Sequence, residues 1–142
     1  MDRVITGLHP DTTGDRVAEL SCGHEQPVRD ERGVAQIGDR LACPRCDRFE
    51  LPAGYQPYKQ TRPFDQDTVP DALRSNHTTK PGIWGVIHVL EGRLLYVVEP
   101  PLSRELLLSP GMTAVVVPEV PHRVEPQGQV RFFVEFHRRA PR

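Results

Sequence analysis

The sequence has no apolar run close to the about 20 residues that a membrane-spanning helix requires. Its first residues, MDRVITGLHPD, contain neither the basic segment nor the apolar segment of a secretory signal peptide. We therefore expect no association with a membrane and a cytoplasmic location.

An excess of either charge is also missing. The 142 residues carry a formal net charge of -1, and the sequence pI is near 6.6. This balance gives no general attraction to nucleic acid, and we expect no nucleic-acid partner. Hydrophobic residues make up 37% of the chain, which is enough for one domain, or for a small module beside a compact domain.

Cysteine is scarce, with three residues at positions 22, 43 and 46. An odd count with one C-x-x-C pair is not the disulfide framework of a secreted protein, and it agrees with a cytoplasmic location. All three cysteines lie in a polar, Gly-rich first part that we assign to residues 1–50. We assign residues 51–142 to a second domain.

The second part has the pattern of a mostly β domain. Apolar strand-like segments are separated by turn signals at Glu91-Gly92, Pro100-Pro101, Ser109-Pro110-Gly111 and Pro126-Gln127-Gly128. This spacing predicts a barrel or a sandwich. Only the segment DTVPDALRSNH is compatible with a short helical turn.

The first part contains a candidate metal site. SCGHEQPV supplies Cys22 and His24, and LACPRCDR supplies Cys43 and Cys46. Thiolate sulfur and imidazole nitrogen are the ligands of tetrahedral structural zinc, and a closed shell of four supplies folding free energy to a module with little core. A redox C-x-x-C pair and unligated surface thiols are the alternatives.

Two segments of the first part, RVITGLHPDTTGDRVAELSCGH and LACPRC, resemble a family of short bacterial Cys/His proteins. The resemblance covers residues 1–48 and includes the four metal ligands. Arg16-Val17 stands where the family has Asp-Trp, and the segment between the two Cys motifs is shorter. The family carries no established activity.

The second part resembles cupins. SNHTTKPGIWGVIHVLEGRLLY, VPEVPHRVEP and VRFFVEF are similar, in this order, to the TehB/YeaR-like cupin family, which is associated with tellurite resistance and nitrate-linked stress responses. The resemblance covers about residues 55–137. It implies a cupin-type (jelly-roll) β-barrel behind the small zinc-binding module, and a homodimer by analogy. Nothing in the chain resembles the Gly-rich cofactor loop of a methyltransferase.

The same resemblance implies a barrel site made of His77, His122 and Glu135. Two imidazoles and one carboxylate can bind Zn, Fe(II), Mn or Ni and leave positions open for water or substrate. The first cupin motif is degenerate, since Gly85 stands about where its glutamate is expected. We further expect Trp84 and Arg131 to line the pocket.

Each barrel residue has a structural alternative. His122 could cap a corner by hydrogen bonding to a backbone carbonyl, and His77 could be a solvated loop residue. Glu135 could be paired on its own strand with Arg131 or with the histidine at position 137. His88, on the adjoining strand, is expected to serve packing or an interface.

Two main classes of function follow. In the first, the barrel binds or senses a metal or a small anion in a stress response to tellurite or another oxyanion. In the second, a barrel metal acts on a small molecule, as in cupin dioxygenases and isomerases. A third reading makes the zinc module an interaction head on a dimerising barrel. The sequence leaves catalysis open.

Overall fold

The computed structural model describes residues 1–28 and 35–141. It divides the chain into two compact units, Met1–Ala53 and Gly54–Arg142. In the described parts of the chain, no helix has the length and hydropathy needed to cross a bilayer.

The first unit is a small antiparallel sheet with one short helix. Its strands lie in the order β3-β2-β1-β4. In chain order the elements are β1 (Asp2–Pro10), β2 (Arg16–Leu20), β3 (Glu25–Pro27), β4 (Arg40–Ala42) and the helix α1 (Pro44–Asp47). Besides the cysteines, its buried hydrophobic residues are Ile5, Ala18, Leu20 and Phe49. A core this small gives little burial energy, so other interactions must stabilise the unit.

The second unit is an antiparallel sheet whose main path is β5-β10-β7-β8, with β6 paired to β10 and β9 paired to β7. Its elements are β5 (Tyr55–Gln60), β6 (Phe64–Asp65), α2 (Asp71–Arg74), β7 (Trp84–Val98), β8 (Arg104–Leu108), β9 (Thr113–Val116) and β10 (His122–Arg139). The helix α2 lies in the segment where the sequence allows a helical turn.

The two long strands β7 and β10 pair with each other over most of their length. The prediction of turns at Glu91-Gly92 and at Pro126-Gln127-Gly128 is wrong, because both strands continue through these positions. Gly92 has φ +74° and Gly128 has φ +82°, and the pairing register shifts between Pro126 and Val130, where Val130 faces Gly92. The glycines therefore form a shared irregularity, which bends paired strands rather than ending them.

Gly92 is required at this bend. A Cβ atom added to it would overlap the carbonyl oxygen of Gln129, whereas a Cβ added to Gly111, with φ +85°, would meet nothing within 4 Å. We expect Gly92→Ala to lower the free energy of unfolding by about 3 kcal/mol or more, because strain and overlap add. Gly111→Ala carries the backbone strain alone and should cost about 1 kcal/mol. Chemical denaturation of both variants measures the difference, and equal losses would contradict the close approach.

Candidate functional site

Four side chains of the first unit converge in its interior. Cys22, His24, Cys43 and Cys46 are all buried, and their ligand atoms lie within 4.8 Å of one another. Cys22 and His24 follow β2 in a tight turn, and Cys43 and Cys46 flank the start of α1. The cysteines form no disulfide.

The distances within this cluster match a tetrahedral shell. Nδ1 of His24 lies 3.4, 3.3 and 3.8 Å from the sulfurs of Cys22, Cys43 and Cys46, and the sulfurs of Cys22 and Cys43 are 3.8 Å apart. Zinc bonds of about 2.3 Å to sulfur and about 2.0 Å to nitrogen place neighbouring ligand atoms of a tetrahedron roughly 3.5–3.8 Å apart. The cluster therefore fits a closed four-ligand metal site.

The hydrogen bonds around the cluster orient its ligands. Nε2–H of His24 donates to the carbonyl of Glu50 at 2.7 Å, so Nδ1 is the ring nitrogen that faces the three sulfurs. Nε–H of the buried Arg3 donates to the sulfur of Cys46 at 3.4 Å. A positive group beside a thiolate offsets part of its charge.

The ionisation of the cluster also suits a metal. Although burial opposes it, hydrogen bonds and charge from Cys22 and Cys43 raise the pKa of His24 to about 9. A hydrogen bond from Cys22 lowers the pKa of Cys43, while the hydrogen bonds with Cys22 and Cys43 raise the pKa of Cys46. Positive charge at His24 is thus favoured beside the sulfurs, and a divalent ion among them would supply such charge.

A second group with ligand atoms within 4.8 Å of one another contains His9, Glu19 and Glu25 on neighbouring strands of the first unit. The side chains of His9 and Glu25 are 41% and 51% exposed. Exposed groups such as these are stable in water without an ion, so this group carries no functional assignment.

The second unit contains a cavity of about 470 Å³ that includes two of the three predicted barrel residues, His77 and His122. The backbones of the two histidines form a reciprocal bridge, with N–H···O distances of 3.0 Å in both directions. Their rings lie 4.2 Å apart between centroids. His77 is therefore fixed beside His122 although it lies outside the named strands.

In each ring of this pair, one nitrogen is engaged in a hydrogen bond to a backbone carbonyl. Nδ1–H of His122 donates to the carbonyl of Val120 at 2.9 Å, and Nδ1–H of His77 donates to the carbonyl of Ser75 at 3.1 Å. A carbonyl can only accept, so in the neutral rings Nε2 holds the lone pair. Among the described residues, Nε2 of neither ring has a hydrogen-bond partner. The only fully enclosed side-chain nitrogen or oxygen of these residues without a partner is Nε2 of His88, so Nε2 of His122 is not fully enclosed. Nε2 of His122 is therefore reachable from the cavity.

Burial favours the neutral form of His122. Burial, together with a smaller effect of the neighbouring His77, lowers the pKa of His122 to about 4, although the hydrogen bond to the carbonyl of Val120 opposes the shift. The residue is only 4% exposed. The ring of His122 thus caps a corner and also lines the cavity, and its role as a ligand stays a prediction.

The prediction that Glu135 joins this pair is wrong. Cavity-lining Val134 and Phe136 alternate with Glu135 along β10, so its side chain lies on the opposite face of the sheet. There Oε1 of Glu135 accepts a hydrogen bond of 2.8 Å from His137 and lies 3.6 Å from Nε2 of His88. His88 in turn stacks on Phe133, with ring centroids 4.6 Å apart. The structural alternatives for Glu135 and His88 are the observed ones.

The predicted wall residues are also absent from the cavity lining. Trp84 is fully buried on β7, but Gly85 and Ile87, which alternate with it, are the strand residues that face the cavity. Arg131 is exposed on the same side of β10 as Glu135.

Sequence reasoning missed Lys59 and Lys80, which do line the cavity. Their signal was available, because the chain contains no other lysine.

Comparison with known proteins places the second unit in a family. The model of the TehB-like domain matches residues 59–134, which is more than half of the chain. The match lies inside the segment expected from the resemblance. The N-terminal Cys/His family lies outside the matched residues and stays a prediction. No curated protein matches the chain.

Solved structures agree with this assignment. TehB from Haemophilus influenzae is 26% identical with a TM-score of 0.56, over 61% of this chain and 32% of that chain. The protein thus spans about a third of TehB. A protein from E. coli strain K12 is 23% identical with a TM-score of 0.59, over 65% of this chain and 98% of that chain. This second likeness shows the fold alone.

The predicted mostly β, cupin-type fold with a small N-terminal Cys/His region is confirmed. Over the matched residues, the order of the motifs, the strand pattern and the likeness to TehB lead to the same assignment. The chain belongs to the TehB-like domain family.

Proposed function

We propose that the protein is a metal-binding cupin whose barrel binds or senses a small anion on a divalent ion held by His77 and His122. The observation that carries this proposal is the fixed imidazole pair in a cavity of about 470 Å³. The donor set fits the ion, because imidazoles with Nδ1 fixed on backbone carbonyls are the usual form of metal-bound histidine. Imidazole suits Zn, Fe, Ni and Cu.

A bound ion would supply positive charge and open coordination positions in the cavity. The chain's own residues hold the two rings, burial lowers the pKa of His122, and eight apolar side chains line the surrounding cavity. Since two protein ligands are present, an incoming anion has positions to occupy. This arrangement favours reversible binding.

The geometry supports binding more than catalysis. The predicted carboxylate ligand Glu135 lies on the opposite face, and the cavity lining contains no Asp or Glu that could act as a general base. A dioxygenase or isomerase would have to use the two histidines, Tyr58 or the two lysines. The enzyme reading is therefore the second candidate, supported by the open coordination positions alone.

The four-residue cluster of the first unit serves a structural role in this proposal. Its ligands close the shell and leave no position for water, and its distances suit zinc. The ion would compensate for the small core of Met1–Ala53. The family's association with tellurite resistance supports a role in oxyanion stress.

The barrel ion can be tested by elemental analysis of protein purified without added metal. We expect two ions per chain in the wild type and one in His122→Ala, because one imidazole alone holds a divalent ion weakly. His88→Ala and Glu135→Gln are matched controls on the opposite face and should keep both ions. One ion per chain in the wild type, unchanged by His122→Ala, would remove the barrel site from the proposal.

If an ion stabilises the first unit, breaking its ligand shell should unfold this unit and leave the second unit folded. In Cys43→Ser the four-ligand shell is broken, and structural zinc is worth about 10–16 kcal/mol to such modules. We expect the amide resonances of residues 1–53 to collapse to unfolded positions in a ¹H–¹⁵N spectrum, while those of 54–141 remain dispersed.

The neighbouring Ser21→Ala is the control for this loss. The Ser21 hydroxyl accepts one hydrogen bond, from the N–H of Val4 at 3.3 Å, and lies next to a ligand without being one. Its spectrum should stay native. A native first unit in metal-free Cys43→Ser would show that the cluster needs no ion.

A further inference from the structure

The cavity has an apolar interior. Eight of its lining residues are aliphatic or phenylalanine side chains, namely Leu73, Ile83, Ile87, Val116, Val124, Phe132, Val134 and Phe136. Its volume of about 470 Å³ falls within the range of about 300–1,000 Å³ that small-molecule pockets occupy. A small inorganic oxyanion would lose hydration against these walls and leave most of the space unfilled. The walls instead suit the hydrocarbon part of an organic molecule.

The charged groups at the cavity have one sign. The chain contains two lysines and sixteen arginines, and both lysines, Lys59 and Lys80, line this cavity. Both are exposed, and no Asp or Glu is among the seventeen lining residues. Neither lysine forms an ion pair with a described residue. In a chain with 19 acidic residues, a cavity with cations and no carboxylate selects for an anion.

Aromatic rings hold the ammonium group of Lys59. Nζ of Lys59 lies 5.7 Å from the ring centre of Tyr58 and 5.4 Å from that of Phe136. Lys80 follows Thr79, whose hydroxyl donates to the carbonyl of Ile83 at 2.8 Å across the turn. The cations are thus exposed while the neutral His122 is buried. A ligand would bind with its apolar end inward and its charge outward.

We propose that the cavity binds an amphipathic organic monoanion, with its hydrocarbon body against the apolar walls and its acid group at Lys59 and Lys80. This inference rests on the proposed function in taking the barrel as the binding site, and it assigns the bound anion to the organic acids. It does not require an ion on the histidine pair.

Octanoate and octan-1-ol are suitable probes because they share one hydrocarbon chain and differ in the charge of the head. Calorimetry on the full chain should show octanoate binding at least about 10-fold more tightly than the alcohol. Lys59→Gln/Lys80→Gln should abolish this preference and leave the affinity for the alcohol unchanged. Arg131→Gln, which removes an exposed charge outside the lining, should keep the preference.

The scarcity of lysine gives a second, site-resolved readout. Reductive ¹³C-methylation preserves charge and labels Lys59, Lys80 and the amino group of Met1. Met1 lies in the other unit, bonded to Asp47 at 2.7 Å, and so serves as an internal reference. Octanoate should shift both lysine signals and leave the Met1 signal in place. Val134→Phe, which fills part of the cavity, should weaken octanoate binding about 10-fold.

Several outcomes would overturn the inference. Absence of octanoate binding, equal affinity for the alcohol, or octanoate binding unaffected in the double lysine variant would reject the charge assignment. Unchanged affinity in a folded Val134→Phe protein would place the ligand outside the cavity. If tellurite but not octanoate shifts the two lysine signals, the ligand of the cavity is an inorganic anion. Octanoate binding retained in His122→Ala would support the inference even where the barrel metal fails its own test.

Discussion

The pairing of β7 with β10 determines which side chains can do chemistry in the barrel. Because side chains alternate along a strand, the register Phe133 to His88 fixes the face of every residue on both strands. Val134 and Phe136 face the cavity, while Glu135 and His137 lie on the other side. A slip of one residue would bring the carboxylate into an apolar cavity and expose phenylalanine to water. Burial of the aromatic and aliphatic set therefore sets the register, and the register keeps Glu135 away from the histidine pair.

The sequence allowed a correct prediction of the fold class, and its short motifs pointed to the two histidines that the structure places side by side. The Pro-rich turn before His122 and the loop containing His77 bring the two rings together in the structure. The face of Glu135 could not be derived in this way. Alternation showed that Arg131 and Glu135 share a face, but both faces of β10 contain phenylalanine, so the pattern did not say which one turns inward. The bends at Gly92 and Gly128 were missed for a similar reason, since a glycine with positive φ serves a turn and a bulge equally well.

The Cys/His cluster of the first unit was easier to predict because its chemistry is local. A C-x-H step and a C-x-x-C step each place two ligands within a few residues, and few other roles bury three cysteines beside a histidine. The sequence did not predict which residues surround the cluster. Arg3 and the carbonyl of Glu50 contact its ligands from 43 and 26 residues away. These partners depend on the fold of the whole unit, and they orient His24 and the Cys46 sulfur before any ion is bound.

The use of lysine at the cavity, in a chain that otherwise relies on arginine, has a physical basis. Elsewhere in the chain arginine forms pairs with carboxylates, as Arg123 does with Glu99 and Glu125 at 2.7 and 3.0 Å. A guanidinium suits such pairing because its planar fork matches two oxygens. An ammonium is a compact charge on a flexible stem, and its methylene groups can lie on apolar walls while the charge stays in water. Lys59, positioned over the rings of Tyr58 and Phe136, has this arrangement. A cation held by aromatic rings rather than by a carboxylate keeps its charge available to an incoming acid, which an arginine paired within the protein would not.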